Sequence, residues 1–360
     1  MRYNLSTLPL QTLMSPVAEA TGALVRLDER IARSAIGGGW IARQHFADAC
    51  ASLWIDGKLV HLEDLVLHDA GADIRAPTHE LTTAHAVLRA RRRIAAHPPG
   101  WALTIEALRA LRGEQSGHED KAIAPIAEPA EADDMVLLAA ELASIDAALA
   151  RSSAVLAGAP PPVRRVHAEP RLLVYDQDWD EQDRLAEWRR VLVETEGLPT
   201  VLRVALLLDA WTRLEVLQHV SWLGRLLAAS LLRETGVTAA HLCAVNLGLK
   251  AVARERRANR DRDTRLLAFL SGMSAAAEAG LKDCDRLILA RQVMERHLGG
   301  RRRSSKLPEL IDLVLARPMV SAGMIADALG VTPQGALKMV GELNLRELTG
   351  RDRFRAWGVL

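Results

Sequence analysis

The stretch that leaves the chain least freedom is residues 321–343, SAGMIADALGVTPQGALKMVGEL. Ser321 stands where a helix needs an N-cap, and Ile325, Ala326 and Leu329 follow at the spacing of one buried helix side. Gly330 supplies a residue for a tight turn that demands positive φ. Thr332 can cap the next helix, with Pro333 at its first position. Ala336, Val340 and Leu343 then share one face and close a small core. Upstream, LPELIDLVLARP gives a preceding helix with Leu310, Leu313 and Val314 inward.

Beyond Leu345 the pattern changes to RELTGRDRFRAWGVL, where Gly350 and Asp352 suit a hairpin turn between two short strands. Helices followed by such a hairpin predict a winged helix-turn-helix over residues 301–360. A fold does not prove a function, but DNA is the usual partner of this one. Gln334 and Lys338 on the third helix are placed to read base edges, with Leu337 and Glu342 also outward. The wing offers Arg346, Arg351, Arg353 and Arg355 to phosphates or the minor groove, and Arg301, Arg302, Arg303 and Lys306 can add backbone contacts. The alternative use of such a module is protein contact or dimerisation.

Charge agrees with either use. Residues 301–360 hold ten Lys/Arg and six Asp/Glu, leaving 36 basic and 39 acidic groups in the other 300 residues of a 360-residue chain whose net charge is +1. The apolar fraction of 49%, the charged fraction of 25% and the scarcity of aromatics favour a soluble, mainly α fold. Cys50, Cys243 and Cys284 form no C-x-x-C pair, and read as reduced thiols of a cytoplasmic protein. No signal peptide and no membrane-spanning run is evident, so a membrane is not an expected partner.

Along the chain, residues 1–112 read as an N-terminal helical region. Its helices are expected over 5–33, from 44 to about 67, over 78–96 and over 104–112, with GGGW at 37–40 as a break. A polar linker at 113–134, a helix within 135–157 and a Pro-rich linker at 158–170 separate it from a second helical region at 171–300. There, helices are expected over 180–194, from Pro199, over 225–236, around 239–259, over 261–279 and over 283–297, with a basic hinge at 299–305. The run 204–208 is apolar on every side and marks a central buried helix.

The middle of the chain resembles the Fic family, whose pattern HPFxDGNGRxGR lies between two core helices. LPTVLRVALLLDAWTRLEVL is similar to the helix before that pattern, and LGRLLAASLLRETGV to its close and the helix after it. Gly224 and Arg225 match its last two residues. SLWIDG is similar to the family's inhibitory S/T-x-x-x-E-G signature, with Ser52, Asp56 and Gly57 in place and Asp for Glu. The resemblance implies a helical Fic-like body, a general-base His and a phosphate ligand, Arg225. Yet QHVSW stands where the Gly/Asn-rich loop belongs. The base position falls on Gln218 or, shifted by one, His219, and no acid is left for Mg²⁺. The implied body is therefore a catalytically degenerate one, with His219 as its weak catalytic candidate. The layout is also similar to a group of often plasmid-borne bacterial proteins, of uncharacterised activity, that end in a helix-turn-helix.

No P-loop, H-E-x-x-H or G-x-S-x-G motif is present. His61, Asp64 and His68 of HLEDLVLHD would share a helix face; a metal site there is conceivable, but the spacing is read as that of a solvated, mixed-charge face. The residues call for no cofactor and no metal. The expected function is DNA binding and transcription regulation, with a homo-oligomer or protein partner. The alternatives are nucleotidyl (AMP) transfer at a remodelled site, or an antitoxin-like module docking through residues 52–57.

Overall fold

A computed structural model describes residues 2–5, 8–72, 76–113, 179–298, 306–349 and 355–359. The helix expected within 135–157, both linkers after position 113 and the basic hinge lie outside the described residues. The body contains α1 (Leu10–Ala32), α2 (Gly37–Ile55), α3 (Leu62–Asp69), α4 (His79–Ala96), a 3-10 turn (Trp101–Leu103) and α5 (Ile105–Gly113). It continues with α6 (Glu181–Glu194), α7 (Thr200–Leu214), α8 (Leu223–Glu234), α9 (Val245–Lys250), α10 (Arg254–Arg257) and α11 (Arg262–Arg296). The C-terminal part holds α12 (Leu307–Ala316), α13 (Ala322–Leu329) and α14 (Pro333–Glu342), with strands β1 (Val320–Ser321), β2 (Arg346–Glu347) and β3 (Ala356–Gly358). The described chain is thus mainly α, and none of its helices is long and apolar enough to cross a membrane.

The core forms around α7, whose residues from Val201 to Leu202 and from Val204 to Trp211 are buried on all sides. Trp188 on α6 packs edge-on against Trp211 and donates its indole N–H to the Leu207 carbonyl at 3.1 Å. Of the charged residues in this helix, only Asp209 is buried in the core. Asp209 is fully buried, and burying a carboxylate is unfavourable unless it is paired. Arg265 supplies two hydrogen bonds to it, at 2.5 and 3.1 Å, and the Tyr3 hydroxyl a third at 2.7 Å. Burial, then the Asp209 charge, pushes the Tyr3 phenol above its ordinary range, so it stays a donor. These bonds fix both the N-terminal segment and α11 to the centre.

The pattern of side-chain contacts shows that α1 and α11 run parallel. Arg262 donates to the Asn4 carbonyl, Arg30 pairs with Asp285 at 2.7 Å, and Arg291 reaches the Ala35 carbonyl. α11 is one helix of 35 residues, about 52 Å long, not the two expected over 261–279 and 283–297. Its buried stripe runs on without a break through Met273, Ala276, Ala277, Gly280, Cys284 and Leu287. Three other expectations are corrected. GGGW does not break a helix but forms the first turn of α2, the break falling just before it. The helical unit expected from 44 to 67 is interrupted after Ile55, where Gly57 adopts φ 78°. The segment expected around 239–259 resolves into the short helices α9 and α10.

In the C-terminal part, β3 lies between β1 and β2, with Val320 opposite Trp357 on one side and Glu347 opposite Trp357 on the other. Ser321 accepts from the Met324 N–H, Thr332 from the Gly335 N–H, and Gly330 takes the left-handed conformation. Leu310 and Val314 are buried as expected and Leu313 half-buried, while Ile311 and Leu315 join the buried set. The core of this part is continuous with that of the body through α12.

α9 and α11 approach most closely at Gly248, where an added Cβ would sit 1.9 Å from the Gly272 carbonyl oxygen and 2.8 Å from the Ala276 Cβ. The obstruction is backbone and cannot swing aside. Gly248→Ala should lower unfolding free energy by about 1–3 kcal/mol, read from urea denaturation. A neutral change would mean that the two helices are not packed at this distance.

Candidate nucleic-acid interface and a filled polar site

α14 keeps Ala336 and Val340 in the core and turns Gln334, Leu337 and Lys338 to solvent. These three lie at i, i+3 and i+4, so they form one patch on the outer face of a capped helix. Glu342 is half-buried. On the adjoining sheet, Arg346 is exposed. Arg355 is exposed as well, but it pairs with Glu347 at 2.6 Å and lies over the Trp357 ring at 5.4 Å, which holds it at the base of the wing. Lys306 donates to the Leu329 carbonyl at the end of α13, a structural use of a residue expected at phosphates. Arg351, Arg353, Arg301, Arg302 and Arg303 lie outside the described residues.

This module is fastened to the body by a residue that the sequence reading did not single out. Arg43 on α2 is buried and donates to the carbonyls of Arg317 (2.7 Å), Val314 (3.2 Å) and Val359 (2.9 Å). Val314 lies in the last turn of α12 and Arg317 is its C-cap, at the end where the helix dipole favours a cation. Burial, with Arg286 adding to it against Asp283, brings the Arg43 guanidinium down to about 10, so it remains charged at neutral pH. Its signal in the sequence was only a cation on an otherwise inward helix face.

A second polar assembly occupies the region between α7 and α8. The link is short. Glu215 caps α7 at φ 46°, Val216 and Leu217 are buried, His219 is exposed, and Trp222 is buried ahead of α8. A side chain at Gly224 would strike the Trp211 ring at 2.2 Å, so its bare Cα serves the contact of α7 with α8. Arg225 faces away from that contact. Its Nε donates to Asn246 Oδ1 (2.6 Å), its Nη1 to Asp56 Oδ1 (3.1 Å) and its Nη2 to Asp56 Oδ2 (3.0 Å), Ser52 Oγ (3.0 Å) and the Ser52 carbonyl (3.2 Å). Ser221 also donates to Asp56, at 3.1 Å. Ser52 is fully buried, and Gly57 follows in the turn that ends α2. Every nitrogen of the Arg225 guanidinium is therefore engaged by the protein.

The assembly continues inward. Asn246 donates to Asp48 Oδ2 at 2.7 Å, the Leu247 N–H to Oδ1 at 3.0 Å, and Arg91 to Oδ2 at 2.5 Å. Arg91 also donates to the Leu242 and Cys243 carbonyls. Burial pushes the Cys243 thiol up to about 12, so it is no nucleophile at neutral pH.

In the HLEDLVLHD segment, Asp69 accepts two hydrogen bonds from Arg92, at 2.6 and 3.0 Å, and lies 3.3 Å from His85. Burial works against ionisation of Asp69, but His85 and Arg92 outweigh it and hold the carboxyl well below its usual range. His61 precedes α3, and His68 packs edge-on against His85. Among the described residues, no group of three or more His, Cys, Asp or Glu is arranged to hold a metal ion.

Residues 307–360 match a family described as "HTH DNA binding domain", and residues 173–299 match one described as "Protein of unknown function (DUF1612)". The chain is also similar to "Uncharacterized protein y4cF" of Sinorhizobium fredii (strain NBRC 101917 / NGR234), 55% identical over 380 residues covering all of both chains.

His45, on α2 beside this network, is buried, and burial followed by the charges of Arg91, Arg92 and His241 lowers it to about 3. The unfolded chain accepts this proton near pH 6.5, whereas the folded protein refuses it until far lower. The contribution of His45 is therefore complete above pH 6.5 and declines by up to about 1.4 kcal/mol per unit as pH falls towards 3. His45→Gln should flatten the pH dependence of the urea midpoint by one proton across that window. Equal slopes in both proteins would refute the assignment.

Proposed function

The chain belongs to the y4cF family, and from its match to a helix-turn-helix DNA-binding domain we propose that it is a transcription regulator that binds duplex DNA through its C-terminal winged helix-turn-helix. The observation that carries this reading is α14, a helix capped at its start, anchored on one face and offering Gln334, Leu337 and Lys338 on the other. Its chemistry suits the major groove: an amide for adenine, an ammonium for guanine, and an apolar side chain between them for a thymine methyl. Arg346 and Arg355, with Arg351 and Arg353 between them in sequence, supply the backbone contacts that set register. The helical body is assigned to self-association or to sensing a partner.

The test is a fluorescence-polarisation titration of the full chain against the DNA upstream of its own gene. If about six cations neutralise phosphates, log affinity falls with log salt at a slope near −5. Lys338→Ala should weaken binding about 10-fold, and Gln334→Ala should blunt discrimination at one base pair. Absence of salt-sensitive binding by the full chain would sink the proposal.

A specific observation also supports a second reading, the Fic-like one. Arg225, which that reading gives to phosphate, is met by Ser52 and Asp56, which it marks as inhibitory-motif-like. On this reading Asp56→Ala frees the guanidinium for a triphosphate, and α-labelled ATP with Mg²⁺ then transfers AMP to a protein hydroxyl, His219 taking the hydroxyl proton and pyrophosphate leaving. Labelling that survives His219→Ala removes the idea. The antitoxin-like alternative draws least support, because Ser52 is buried and Asp56 is engaged within the chain.

A further inference from the structure

A second basic surface lies on the body, and neither the winged module nor the Arg225 cluster accounts for it. Trp54, near the C-terminal end of α2, is 40% exposed. The Lys250 Nζ lies 5.6 Å from its ring centre and the Arg257 guanidinium 5.9 Å. α10 reads Arg-Glu-Arg-Arg, and Lys250, Arg254 and Arg256 all face solvent. Between positions 250 and 257 four cations meet a single acid, Glu255. The Arg257 guanidinium is drawn below its ordinary value by burial first and then by Arg225 and Arg254, with Asp56 and Glu255 opposing. The cations therefore crowd one another around an aromatic face, with too few anions on the protein to balance them.

We propose that this Trp54-centred surface is a second contact for the phosphate backbone of duplex DNA, in which the indole ring holds the Lys250 and Arg257 head groups in place while Arg254 and Arg256 reach phosphates. Charge complementarity is one argument: a row of solvent-facing cations suits a polyanion better than a neutral protein face. Cation–π contact restrains the long side chains in advance, which reduces what must be ordered on binding. Placement is the other argument. α2 carries Arg43, the fastening of the winged module, and eleven residues later Trp54, about 16 Å along the same helix. That separation is less than one turn of duplex, about 34 Å. Engagement of both surfaces by one duplex therefore calls for DNA longer than the winged-helix footprint. The inference rests on the DNA-binding reading above.

A random-sequence duplex of about 40 base pairs is a sufficient probe, because the contact is to backbone. The full chain is titrated over a range of salt, beside K250Q/R254Q/R256Q, beside W54A and beside K338A/R346A. Folding is checked by melting temperature, which substitutions at three exposed positions should leave in place. The triple substitution should weaken binding roughly 10-fold at low salt and make the log–log salt slope shallower by about 2–3, one contact per charge removed. W54A should give a smaller loss of the same kind. Unchanged affinity and slope in the triple variant, with the parent chain still binding, overturn this inference alone. No binding of any duplex by the parent chain overturns it together with the regulator reading. Capture of the chain by vesicles rich in phosphatidylserine, without DNA binding, identifies the surface as a lipid contact and overturns it as well.

Discussion

The carboxylate of Asp48 is the interaction on which the body depends. It has no solvent exposure, and three donors from two places in the chain converge on it: Arg91 from α4, and the Asn246 side chain and Leu247 backbone N–H from α9. A buried ion pair adds little stability compared with an apolar pair of the same shape, but removing one partner leaves an unpaired buried charge, at a cost of about 3–5 kcal/mol. What the network provides is definition. Asp48 fixes the rotation of α2 about its own axis, and that rotation decides what every other residue of the helix meets. Arg43 and Gly39 come to face α12, where an added Cβ on Gly39 would sit 3.2 Å from Leu315. Ser52 comes to face Arg225, and Trp54 the solvent.

The polar chain from Arg91 to Asp56 also determines what is left of Arg225 for an incoming anion. A guanidinium donates five hydrogens in a fixed fork, and all three nitrogens of Arg225 and both terminal nitrogens of Arg91 are directed at groups of this protein. An anion arriving at Arg225 must displace Asp56, which already gives two-point contact at 3.0 and 3.1 Å. Electrostatic stabilisation of a transferred group requires donors aimed at it in advance. Here they are aimed at a carboxylate of the chain itself, which clasps α8 to the end of α2.

How much of this could be read in advance differs sharply between the two ends. The winged module was legible because its determinants are local. Ser321, Gly330 and Thr332 act within three residues of themselves, and the apolar stripes of α12 to α14 are uninterrupted. Strand β1 was missed because two residues carry no period. In the body, α2 was misplaced because its buried side includes Arg43, Gln44, His45, Asp48 and Ser52. A periodicity argument treats such residues as outward, yet their partners lie up to 316 positions away. Ser52, Asp56 and Arg225 were singled out by resemblance, while the residues joining them to the core, Asn246 and Asp48, have no signature short of the folded chain. α11 was divided because a helix of 35 residues is rare, although its stripe of small buried residues is continuous.

The fastening of the winged module narrows how body and DNA can communicate. A DNA-binding domain on a free tether would sense nothing of the body's state. Here α12 packs on α2, the cores are continuous, and a buried cation holds three carbonyls from both ends of the module. Coupling between distant sites needs an element with two discrete arrangements that both sites bias. α2 bears on the second half of that requirement, since it touches the module at one end and the Asp56–Arg225 clasp at the other. Turning it would break the Arg43 and Asp48 contacts together, so any second arrangement must replace both sets of hydrogen bonds. The Asp56–Arg225 pair is the least buried part of the network, and it can be disturbed without exposing the charge on Asp48, on the same helix that carries Arg43.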